Sequence, residues 1–145
     1  MSIKETADNI VAEFDLFDDW MDKYNYLIEL GKSLPKIEEK HKTDSTLITG
    51  CQSRVWLHSE FIDGRVVFTA DSDAVITKGI VNLLIRIFSG HTPDEIIEAP
   101  TDFLDEIGLK EHLSPTRSNG LLSMLKQIKL YAMAYKSVSN VGDQS

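Results

Sequence analysis

The stretch "RVWLHSEFIDGRVVFTAD" (54–71) constrains the fold more than any other part of the chain. Its first half alternates, with Val55, Leu57, Ser59 and Phe61 on one side and Arg54, Trp56, His58 and Glu60 on the other. That is the period of a half-buried strand. Asp63-Gly64 accepts the positive φ of a tight hairpin turn, and "RVVFTAD" (65–71) is the return strand. With "LIT" (47–49) as a short first strand, the three form a small antiparallel meander.

Helical spacing surrounds this meander. Ile3, Ala7, Ile10, Val11 and Phe14 predict one helix, and Phe17, Trp20, Met21, Tyr24, Leu27, Ile28 and Leu30 a second, capped by Asp18 or Asp19 and ended by "LGKSLP". "KIEEKHKTDST" (36–46) has no apolar period and is expected to be a solvated connection. Asp71, Ser72 or Asp73 is expected to cap a helix running to Ser89, in which Gly79 permits close packing. "TPDEII" carries a Thr cap, a Pro at the first helical position and early acidic residues. "TDFLDEIGL" reads as a short helix closed by Gly108, and a long last helix starts between Ser114 and Ser118. The expected fold is therefore α+β: about three antiparallel strands covered by several helices, in one domain over 1–138. Residues 139–145 are expected to be a disordered tail.

Charge and composition narrow the function. Fifteen Lys and Arg against 23 Asp and Glu leave a net charge of −8, and no basic patch is segregated. A nucleic-acid partner is not expected. No apolar run spans a bilayer and no signal or transit segment is evident, so a cytoplasmic location is expected. His41, His58, His91 and His112 stand singly, and a single cysteine builds neither a zinc knuckle nor an iron–sulfur site. No bound metal or cofactor is expected, and neither a phosphate loop nor a nucleophile elbow is present.

That leaves Cys51, in "LITGCQSRVWL" (47–57). A lone cysteine is more often an inert packing residue than a nucleophile. Gly50 relaxes the backbone beside it, and Gln52 and Ser53 place polar groups next to the thiol, which is unusual for a residue that only packs. From the residues alone both readings stand. A cysteine hydrolase or peroxidase is disfavoured, because neither a paired histidine nor a resolving cysteine is evident.

Four blocks weigh on this choice: "DWMDKYNYLIELGKSLP" (19–35), "GCQSRVW" (50–56), "DSDAVITKGIVNLL" (71–84) and "HLSPTRSNGLLSM" (112–124). Together, in order and in compatible spacing, they resemble the SufE family of sulfur acceptor proteins. The resemblance implies a fold like that of the iron–sulfur scaffold IscU. It implies that Cys51 accepts a persulfide sulfur from a pyridoxal-phosphate cysteine desulfurase of the SufS kind, stimulates that enzyme, and delivers sulfur to a SufBCD-like scaffold for iron–sulfur cluster assembly. On this reading the chain is a carrier rather than an enzyme, and Gly50, Gln52 and Ser53 shape the loop. Arg117, a cation unfavourably placed at a helix start, would stabilise a thiolate or persulfide or touch the desulfurase. Asp71 and Asp73 fit helix capping, with partner contact as the alternative. Two functional alternatives stay open: an allosteric activator that carries no sulfur, and an acceptor for a different, CsdE-like, desulfurase system.

Overall fold

The structure is a computed structural model that describes residues 2–35, 37–48, 53–108 and 115–143, the last helix being described by its backbone alone over 115–119 and 139–143. Helix α1 (Ile3–Asp15) starts where the Ser2 hydroxyl accepts the Glu5 N–H, and it buries Ile3, Ala7, Ile10 and Phe14. Helix α2 (Trp20–Lys32) is capped by Asp19, which accepts the Asp22 N–H at 2.9 Å. These caps satisfy N–H groups that the helix itself leaves without partners.

The hairpin forms as its pattern predicts. Strands β1 (Val55–Ile62) and β2 (Arg65–Ser72) pair antiparallel from Val55↔Ser72 to Ile62↔Arg65. Asp63 and Gly64 take φ of 52° and 78° at the turn. One face carries Val55, Leu57 and Ser59 beside Val66, Phe68 and Ala70, all buried. Among the described residues the sheet has two strands rather than about three. The expected strand at 47–49 contributes one bridge, Leu47↔Trp56, flanked by the bonds Ile48 N–H to Val55 O and Leu57 N–H to Thr46 O; Thr49 lies outside the described residues. The other sheet edge is covered by the chain leaving the next helix, α3 (Val75–Phe88). There Gly90 N–H donates to Val66 O, and the Ser89 hydroxyl accepts the Phe68 N–H.

Helix α3 is the central element, buried along most of its length between β2, α1, α2 and the last helix. Its expected cap is a correction. Ala74 occupies the N-cap position and supplies no side-chain bond. Asp71 and Asp73 are engaged elsewhere, and the Ser72 hydroxyl accepts the N–H of Ala74. Gly79 meets the backbone of Leu27 where α3 crosses α2, as close packing requires. Helix α2 ends within "LGKSLP", at Lys32, and Gly31 in its last turn lies at the same crossing, against Lys78 and Gly79. The buried Asn82 amide donates to Leu30 O at 2.6 Å and to Ser33 Oγ at 3.3 Å, which satisfies a carbonyl at the end of α2.

Short helix α4 (Pro93–Glu98) opens with a complete capping box between Thr92 and Glu95. Helix α5 (Phe103–Ile107) closes on Gly108 at φ 83°. Helix α6 (Pro115–Asp143) runs past residue 138, into the expected tail, and lies against α3, α4 and the sheet. Tyr131 donates its hydroxyl to Leu57 O at 3.0 Å, and Tyr135 reaches Ser59. Lys129 donates to the carbonyls of Ile96, Ile97 and Ala99, tying α6 to the end of α4. No described helix is long and apolar enough to cross a membrane.

Candidate functional site

Gly50, Cys51 and Gln52 lie outside the described residues; the structure describes the frame on either side of them. On the N-terminal side, residues 46–48 are hydrogen-bonded along β1. On the C-terminal side, half-buried Ser53 leads into β1 and Arg54 is locked to Asp73. The Arg54 N–H donates to Asp73 Oδ1 at 3.0 Å, and the Asp73 N–H donates to Arg54 O at 3.3 Å. Asp73 thus fastens the first residue after the "GCQS" segment to the end of β2. We expect Asp73→Ala to cost about 1 kcal/mol of stability, the usual net worth of such a bond, measured by urea unfolding. An unchanged midpoint would mean that the backbone pairing alone holds this corner.

Asp71 does different work. Its carboxylate accepts the Ser72 N–H at 2.8 Å and pairs with Lys42 at 2.6 Å and Lys78 at 3.6 Å. Partial burial acts to raise the Asp71 carboxyl, but the Lys42 ammonium, the Ser72 N–H and Lys78 outweigh it and hold the group below its ordinary value. Hydrogen bonding to Asp71, and then to Glu39, holds Lys42 above its own. The Lys42 ammonium also stands 5.4 Å from the centre of the Trp56 ring. Both aspartates put forward as caps or partner contacts therefore have partners inside the chain.

The segment 36–46 is a further correction, because it is not merely a solvated connection. Ile37 is buried, Glu39–His41 form a 3-10 turn, and Lys42 reaches Asp71. An open groove of about 450 Å3 lies where this segment meets α2, the end of β2 and the start of α3, with Ile28, Ile37, Lys42, Asp71, Val75 and Lys78 in its lining. Sequence spacing gives no sign of the lysines around Asp71, because each comes from a different element. Arg117 occupies the first turn of α6, and its side chain lies outside the described residues.

A histidine pair also comes together on the outward face of β1. The rings of His41 and His58 stack at 3.6 Å with 9° between their planes, and His58 Nε2 is 3.4 Å from Glu60 Oε1. Spacing along the chain carries no signal for this pair, since one member sits on the 3-10 turn and the other on the strand.

Similarity to known proteins fits this frame. The model of the SufE, Fe-S metabolism associated domain, matches residues 8–132. An uncharacterized SufE-like protein of Rhizobium meliloti is 42% identical over 129 residues, which cover 86% of this chain and 92% of that protein. An uncharacterized SufE-like protein of Synechocystis is 35% identical over 134 residues, covering 92% of this chain and 84% of that one. In fold, the chain is similar to the solution structure of a hypothetical protein from Thermus thermophilus, with a TM-score of 0.76 at 19% identity, over 91% of this chain and 96% of the other. With a family match over most of the chain and relatives 35–42% identical across it, the chain belongs to the SufE family of iron–sulfur metabolism.

Proposed function

We propose that this protein carries sulfur as a persulfide on Cys51, taking it from a pyridoxal-phosphate cysteine desulfurase of the SufS kind and passing it to an iron–sulfur scaffold of the SufBCD kind. The observation that carries the reading is a single cysteine inside "GCQS" in a chain of the SufE family. The fixed frame around that segment, from Ile48 on one side to Arg54 and Asp73 on the other, supports it.

The chemistry is an exchange without net oxidation. The Cys51 thiolate attacks the outer sulfur of the donor's persulfide. A new S–S bond forms on Cys51, the donor's S–S bond breaks, and the electron pair leaves with the donor's cysteine sulfur. That sulfur takes up the proton that Cys51 released. Deprotonation and access set the rate, since the thiolate is the nucleophile. A chain with one cysteine has no neighbouring thiol to divert the persulfide into an internal disulfide. Delivery repeats the same exchange with Cys51 as the leaving group.

The test is intact mass after incubating the full chain with a desulfurase and free cysteine. The expected product carries one added sulfur that a reductant removes and that maps to the peptide containing Cys51. Stimulation of desulfurase turnover above its basal level with no sulfur on Cys51 would sink the carrier reading and leave an allosteric activator in its place.

Arg117 belongs to the same proposal, as a fixed cation that favours the anionic sulfur or contacts the desulfurase. A guanidinium keeps its charge at any working pH. Arg117→Ala is expected to change stability by about ±0.5 kcal/mol, the usual range for the solvated helix start that the sequence pattern predicts, while clearly lowering desulfurase stimulation. Titrating the acceptor separates the roles: a weaker half-saturation means docking, and a lower maximum means sulfur chemistry. Unchanged stimulation across the titration removes Arg117 from the site.

A further inference from the structure

We propose that His41, His58 and Glu60 form a binding site for a divalent transition-metal ion of the zinc class, with a fourth coordination position open to solvent. One ligand atom from each of the three side chains lies within 4.8 Å of the other two. Two imidazoles and a carboxylate are a donor set that suits zinc and its first-row neighbours rather than calcium or magnesium. Bonds of about 2.0–2.2 Å to a tetrahedral zinc place neighbouring ligand atoms roughly 3.3–3.5 Å apart. The His58 Nε2–Glu60 Oε1 separation, 3.4 Å, already has that bite.

The third ligand needs only a local movement. His41 lies stacked on His58 with a ring nitrogen within 4.8 Å of the other two ligand atoms, and the terminal torsion of each ring is soft enough to let it turn toward an ion. The backbone beneath is held in place. The Thr46 hydroxyl donates to the His41 carbonyl, and the Thr46 carbonyl accepts the Leu57 N–H, so the turn bearing His41 is fastened to the strand bearing His58. Strand geometry does the rest: residues 58 and 60 point to the same face of β1. Glu60 is more than half exposed, which gives an ion a route in. A bound ion would clamp residues 41–48 to β1, whether or not Cys51 carries sulfur.

The experiment titrates Zn2+ into the full chain against a chromophoric chelator, with imidazole NMR resonances of the wild type followed in parallel. One equivalent is expected to bind, shifting the ring signals of His41 and His58. Loss of an outer partner of a metal ligand typically costs 10–100-fold in affinity, so His41→Ala, His58→Ala and Glu60→Gln should each weaken binding by about tenfold or more. Glu60→Gln at an exposed strand position is the variant least expected to disturb folding, and circular dichroism checks all three. Cys51→Ser should bind zinc as the wild type does. Absence of stoichiometric binding, unmoved imidazole signals, or binding lost in Cys51→Ser and retained in the three site variants overturns the proposal.

Discussion

Cys51→Ser is expected to reduce desulfurase stimulation to the level seen without the acceptor, while its melting curve stays close to that of the wild type. Serine nearly matches cysteine in shape, so the substitution removes the reacting atom with little change in volume. A hydroxyl is a poor nucleophile at neutral pH and forms no persulfide, whereas a thiol is partly ionised there. The described frame is held by bonds among its own residues. Residues 46–48 are held by backbone bonds to β1, and Arg54 is held by Asp73. Turnover measured over a range of acceptor concentrations, beside thermal melts, decides the matter. Full stimulation by a well-folded Cys51→Ser protein would mean that binding alone activates the desulfurase. Loss of stimulation together with retained binding to the desulfurase would locate the defect in sulfur transfer itself.

The parts of the fold that are legible in the sequence are those fixed by neighbours along the chain. The hairpin follows from period-two alternation and the Asp63-Gly64 turn, and both residues take the positive φ that the pair tolerates. Asp19, the Thr92–Glu95 box and Gly108 act on backbone groups within a few residues, so their roles follow from type and position. Asp73 shows where this reasoning ends. A carboxylate near a helix start advertises an acceptor, but the sequence does not say which N–H will take it, and here Arg54 does instead of α3. The segment 36–46 escapes for a related reason. Its apolar content is too sparse for a period, yet Ile37 finds the core and Lys42 finds Asp71 through contacts between distant residues. The His41–His58–Glu60 group fails the usual spacing test because that test looks for ligands within one element. The cysteine segment stands out by its composition and by its likeness to a family, and the fold adds the two anchors on either side of it.

Gly79→Ala is expected to destabilise the protein by about 2 kcal/mol or more, although on helix propensity alone it would stabilise. Alanine is better than glycine by about 1 kcal/mol in a helix interior, and Gly79 lies inside α3. The opposing term comes from the crossing with α2. A Cβ built at Gly79 would lie 2.6 Å from the carbonyl carbon of Leu27 and 3.0 Å from its Cα. Those are backbone atoms of a packed helix, so no side-chain rotation relieves the overlap. Helix α2 must move away, and it is tied there by Asn82 to Leu30 O and by the burial of Leu27 and Leu30. Overpacking of this kind costs typically about 1–3 kcal/mol and occasionally more, and contact with backbone belongs at the upper end of that range. The clash therefore outweighs the propensity gain. Urea unfolding followed by circular dichroism measures the net value, and Gly31→Ala gives a graded comparison, since a Cβ there would meet the Lys78 Cβ at 2.9 Å and the Gly79 nitrogen at 3.0 Å. A smaller loss at Gly31 than at Gly79 is expected. Equal or greater stability for Gly79→Ala would show that α2 and α3 do not approach this closely in solution.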